Sequence, residues 1–69
     1  MIGVFVVVWY DWLDESHVIY TGGSAGEAVA KFEFAERMGA PVEYQEWNDE
    51  GTLIHWKYRG RNHEDRLIY

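Results

Sequence analysis

Ile2-Gly3-Val4-Phe5-Val6-Val7-Val8-Trp9-Tyr10-Asp11-Trp12 is the stretch that decides the fold. Its β-branched and aromatic side chains favour a pleated strand. The even positions Val4, Val6, Val8 and Tyr10 are apolar, and so are Phe5, Val7 and Trp9 between them. A strand that is apolar on both faces belongs in the middle of a sheet. The stretch falls well short of the roughly 20 apolar residues of a membrane span. It has no basic flank and no small-residue cleavage site, so it does not read as a secretory signal. A soluble protein in the cytoplasm of its host cell is expected, with no membrane partner.

Outward from this strand, Leu13 to Ser16 reads as a polar turn. His17 to Thr21 reads as a second, shorter strand, close enough to pair with the first as a hairpin. Gly22-Gly23-Ser24-Ala25-Gly26-Glu27 ends that strand and opens a helix. Ser24 and Glu27 have the spacing of a capping box, in which each side chain satisfies a free backbone N–H. The helix is expected to run to about Met38, where Gly39 and then Pro41 stop it. Val42 to Trp47 is a third strand, Asn48 to Gly51 a hairpin turn, and Thr52 to Arg59 a fourth strand. Gly60 to Asp65 is a polar tail, and Leu67-Ile68-Tyr69 suits a short edge strand or a segment docked on a partner. There is no linker or repeat. The expected fold is α+β: one ββαββ domain over residues 1–69, with a four-stranded antiparallel sheet in the order 2-1-3-4 and one helix on one face.

One helix covers only one sheet face. The other face should then carry one apolar set of the first strand, such as Phe5-Val7-Trp9, and an open apolar face calls for a partner. On the helix, Ala25, Ala28, Val29, Phe32 and Ala35 form a stripe for the sheet. Ala30, Phe34 and Met38 recur on nearly the opposite side. Phe34 is expected either as an exposed anchor or beneath the C-terminal tail.

A chain of 69 residues buries only about 60% of its unfolded surface. Small domains gain stability from disulfides, metals, oligomerisation or dense apolar packing. The absence of Cys excludes disulfides and thiolate metal sites. Four Trp, five Tyr and three Phe leave dense aromatic packing and self-association, so a homo-oligomer is expected. The net charge is −6, and ten of the twelve acids precede residue 52, where only Lys31 and Arg37 oppose them. Such a body repels nucleic acid and attracts basic protein surfaces.

Few residues suggest chemistry. Gly22, Gly23, Ser24 and Gly26 lie where backbone N–H groups and a helix dipole can hold a phosphate. The motif matches no nucleotide fingerprint, no Lys follows it, and Glu27 repels anions. A turn and cap is the preferred reading, and a nucleotide-binding homo-oligomer the alternative. His17, His55 and His63 have no ligand spacing on one element, so no metal or other cofactor is expected. Asp14-Glu15 and Asp49-Glu50 lie in turns, and Ser16 and Ser24 sit in no nucleophile motif, so no catalytic residue and no enzyme is expected. A third reading stacks single-stranded bases on Trp9, Trp12, Trp47, Trp56, Tyr10, Tyr44 and Tyr58, beside Lys57, Arg59 and Arg61. Glu43, Glu46 and Asp11 on the same strands oppose phosphates, so nucleic acid is not the expected partner.

No motif of a known family occurs in the chain. In size, charge and aromatic content it is similar to the small acidic proteins that bacteriophages encode to bind and block host or defence machinery. The expected function is therefore a protein-interaction module that binds and occludes a target with a basic surface. Carboxylates such as Glu43, Glu46, Asp49 and Glu50 would mimic nucleic acid, or Trp9, Trp12, Phe34, Met38 and Trp47 would act as a hot spot.

Overall fold

The structure is a computed structural model that describes residues 3–60 and the backbone of residues 65–67. In chain order the elements are β1 (Val4–Tyr10), β2 (Ser16–Gly22), α1 (Ala25–Arg37), β3 (Val42–Trp47), β4 (Leu53–Arg59) and β5 (Asp65–Leu67). All strand pairs are antiparallel in the order β2-β1-β3-β4-β5, and α1 packs across β1, β2 and β3. The expected 2-1-3-4 sheet with one helix is present, and β5 extends it beyond β4. The tail strand expected at Leu67 to Tyr69 begins earlier, at Asp65; Ile68 and Tyr69 lie outside the described residues, as do Ile2 and His63. No described helix is long and apolar enough to cross a membrane.

Chemical signals set both ends of α1. The Ser24 hydroxyl accepts the Glu27 N–H at 3.2 Å, which satisfies one free donor of the first turn. The reciprocal half of the capping box is replaced, because the Ser24 N–H bonds to the Tyr20 hydroxyl at 3.1 Å. At the far end Gly39 takes φ +80°, a conformation that costs a glycine little. This turns the N–H groups of Gly39 and Ala40 back onto the carbonyls of Glu36 and Ala35.

Val7, Ala28, Phe32, Ala35 and Val42 form the buried core, flanked by Phe5, Trp9, Ile19, Tyr20 and Tyr44. The odd set of β1 therefore faces the helix, and the expectation that Phe5-Val7-Trp9 would lie on the open face is corrected. Ala28 and Ala35 bring α1 close to the sheet, and the large Phe5 and Trp9 fill the space at its flanks. The helix stripe is also narrower than expected: Ala25 is exposed and Val29 is 44% exposed. Burial follows the tighter series Ala28, Phe32 and Ala35, because a single helix on a twisted sheet touches it along one narrow line.

Two β-bulges decide which side chains share a face. Val7 pairs with Tyr20 but Val8 pairs with Val18, so Ile19 is the extra residue in β2. This allows both Ile19 and Tyr20 to pack on the core. Trp47 pairs with Leu53 but Glu46 pairs with His55, so Ile54 is the extra residue in β4. A shift of one residue moves every later side chain to the other face. Without it Trp56 would align with Tyr44, on the helix side. With it Trp56 aligns with Gln45, and Tyr58 with Glu43.

Candidate functional site

The helix-free sheet face is built in rows across the strands. One row runs Val18, Val8, Glu43, Tyr58, the next Thr21, Val6, Gln45, Trp56, and a third joins Val4 to Trp47. Tyr10 stands beyond the first row, paired with Ser16. The β2–β1 half is thus a strip of valines, with Val18 62% and Val4 45% exposed. The β3–β4 half is aromatic and polar. Trp56 and Tyr58 lie nearly parallel, with ring centres 6.1 Å apart, and Tyr10 meets Tyr58 edge-on at 6.3 Å.

Glu43 lies at the middle of this face. Its Oε1 accepts the Tyr10 hydroxyl at 2.8 Å, and its Oε2 accepts the Gln45 amide at 3.0 Å and the Trp56 indole N–H. The Gln45 carbonyl in turn accepts the Trp47 indole N–H at 2.9 Å. Every polar side chain of the network has a partner from the same face. Partial burial pushes the Tyr10 hydroxyl up to about 12, aided by the hydrogen bond and negative charge of Glu43. Tyr10 therefore keeps its proton and remains a donor.

The residues expected to bind a partner are divided among three places. Glu43 and Trp47 belong to the open face. Trp9, Phe34 and Met38 meet on the opposite side, where with Ile19, Ala35, Ala40 and Lys31 they line an apolar groove of about 280 Å³. Phe34 is 55% and Met38 70% exposed there. Trp12 is 87% exposed in the β1–β2 connection, next to Leu13 at 75%. Glu46 pairs with His55 on the helix side, and Asp49 and Glu50 lie in the β3–β4 turn. Glu43 and Glu46 thus face opposite ways.

The glycine-rich turn of Gly22, Gly23, Ser24 and Gly26 engages its own chain. The N–H groups of Ser24, Glu27 and Ala28 bond to the Tyr20 hydroxyl, the Ser24 hydroxyl and the Ser24 carbonyl. A second groove of about 230 Å³ is lined by Phe32, Glu33, Glu36, Tyr44, His55, Lys57 and Val29. Two of its charged side chains are engaged: Glu36 pairs with Arg59, and the Lys57 ammonium lies 4.8 Å from the Phe32 ring centre. Burial and the charge of Glu46 raise the Tyr44 hydroxyl pKa.

One cluster is invisible to a search along single elements. Asp11, Glu15 and His17 meet across the β1–β2 hairpin, with possible ligand atoms within 4.8 Å of one another. The loop already uses this carboxylate: Asp11 Oδ1 accepts the N–H groups of Leu13 and Glu15 at 2.9 Å each, and Oδ2 lies 2.9 Å from His17 Nε2. These bonds, the His17 one foremost, hold the Asp11 carboxyl below its ordinary pKa. The His17 ring also stacks on Trp9 at 4.9 Å.

Comparisons of the sequence with protein-family models and curated proteins, and of the fold with solved structures, find no match. Sequence reading gave Tyr10, Trp56 and Tyr58 to aromatic packing or base stacking and gave Gln45 no role. The Ile54 bulge turns Trp56 and Tyr58 onto the face that carries Glu43, Gln45 and Tyr10, and alternation alone gives no sign of it.

Proposed function

We propose that the protein is a protein-binding module that docks a partner on the open face of its sheet. One observation carries this reading: the face that α1 leaves bare holds β-branched and aromatic side chains around a carboxylate whose hydrogen bonds are supplied from the face itself. Trp and Tyr dominate the energetics of interface cores. Groups that already have partners on the face keep those hydrogen bonds when it is covered. The net charge of −6 steers the protein towards basic surfaces. Binding of this kind inhibits by occlusion and needs no chemistry.

Trp56→Ala and Phe34→Ala form the test, because they remove aromatic anchors from opposite sides of the molecule. Wild type and both variants are compared by capture of proteins from host-cell extract and by sedimentation at several concentrations. A captured protein that is lost with Trp56→Ala and kept with Phe34→Ala supports the open face. The reverse pattern moves the docking site to the Trp9–Phe34–Met38 groove. Concentration-dependent mass that Trp56→Ala abolishes, with no other protein captured, makes a second copy the occupant.

A further inference from the structure

Among the described residues the side-chain donors to Glu43 are all neutral: a phenol, an indole and an amide. A carboxylate offers about four lone-pair sites. Three are taken here, and the open one belongs to Oε1, which accepts only from Tyr10. Among the described side chains no cation shares this face. Lys57 and Arg59 project to the other side, towards Phe32 and Glu36.

We infer that Glu43 and the rings of Tyr10, Trp56 and Tyr58 form a recognition site for a cationic side chain of the partner, a guanidinium above all. This deepens the open-face docking reading and rests on it. A purely apolar partner would bury the carboxylate without a counter-charge, which is costly. A cation removes that cost. Arginine fits best because one N–H of its flat head can donate to the open site on Oε1 while a face lies on an aromatic ring. A second copy is the poorer occupant, since the described side chains of its open face present another carboxylate and no cation.

The test titrates the full chain with N-acetyl-arginine amide, following the indole N–H resonances of all four tryptophans by NMR. N-acetyl-citrulline amide, of nearly the same shape but uncharged, is the control. The Trp56 resonance should shift saturably with the arginine probe and at least tenfold more weakly with citrulline, while Trp12 stays still. Glu43→Gln should abolish the response with the Trp9 resonance unmoved, which shows the fold intact. Tyr58→Leu, which keeps the carboxylate, should weaken binding severalfold. Equal response to citrulline, or an undiminished response in Glu43→Gln, overturns the inference. Register places Arg66 opposite Tyr58, in the row of Glu43. Binding seen only in Arg66→Gln would make the chain's own arginine the occupant and also overturn it. If the titrations fail while Trp56→Ala still releases a captured protein, the docking face stands without its cation; if Trp56→Ala releases nothing, the docking face itself falls.

Discussion

Phe32 and Phe34 lie two residues apart on α1 and occupy opposite environments. Phe32 is 5% exposed, edge-on to Tyr44 with ring centres 6.2 Å apart, whereas Phe34 is 55% exposed beside Met38. Truncating Phe32 removes a ring from the core and should cost about 3–5 kcal/mol, a large part of a small domain's stability. Phe34→Ala should change stability by less than about 1 kcal/mol. Urea melts of the two variants check the contrast, and comparable losses would place Phe34 in the core.

Ser24→Ala removes the only side-chain acceptor of the Glu27 N–H among the described residues. It should destabilise the fold by about 1 kcal/mol. Because the Ser24 N–H bonds to Tyr20 and not to Glu27, Glu27→Ala should cost less than Ser24→Ala. Thermal melts rank the pair; the opposite order would mean that the reciprocal cap forms in solution.

Ile54 is the extra residue of the β3–β4 pair, so its deletion should leave a regular ladder with Trp56 still opposite Gln45 and Tyr58 still opposite Glu43. The Tyr10–Tyr58 ring contact is the marker. Its nuclear Overhauser effect should persist in the deletion variant. A lost signal would show that the shortened strand pairs in another register, set from the turn.

The raised pKa of Tyr10 has a defined effect on stability. The unfolded chain releases this proton near 10 and the folded chain near about 12. Between those values the folded state binds more protons, so stability is fully present below pH 10 and falls as pH rises through the window. Absorbance titration at alkaline pH should show a late-ionising component to which Tyr10 contributes, beside the also raised Tyr44. Glu43→Gln, which removes the negative charge beside the hydroxyl, should bring it earlier. An unchanged midpoint would mean that burial alone holds the proton.

Asp11 works in the opposite direction. Its pKa is lowered, so its contribution is present above the ordinary carboxylate range and disappears as pH falls through the folded value. His17→Ala removes the largest cause and should raise the Asp11 pKa towards that of a free carboxylate. Carboxyl carbon shifts in NMR follow it, and no movement would assign the shift to the two backbone N–H groups.

Elements marked by local chemistry were legible. The two apolar sets of Val4 to Tyr10 imply a central strand, and β1 pairs on both sides. Gly39 and Pro41 mark the helix stop, and Val42 to Trp47 has the expected bounds. What depends on register was hidden. Trp56 and Tyr58 alternate with His55 and Lys57 in any register, so alternation shows that they share a face but not which one. The grouping of Trp9 with Phe34 and Met38 was also hidden, because it needs the crossing of α1 over β1 and β2. Val29 was misplaced for a related reason: a helical wheel has no sheet twist in it.

The position of β1 also governs the order of events during synthesis. It emerges from the ribosome before β2, α1 and β3, yet β3 is one of its two neighbours and follows only after β2 and α1. At roughly 5–20 residues per second, the nascent chain spends seconds with the β1–β2 hairpin made and the β3-facing edge of β1 bare. Local hairpins close early, whereas the β1–β3 seam requires closure of a long loop and forms late. A chaperone that recognises extended apolar segments has its target in Val4 to Trp9 throughout that interval, and loses it when Val42 to Trp47 arrives.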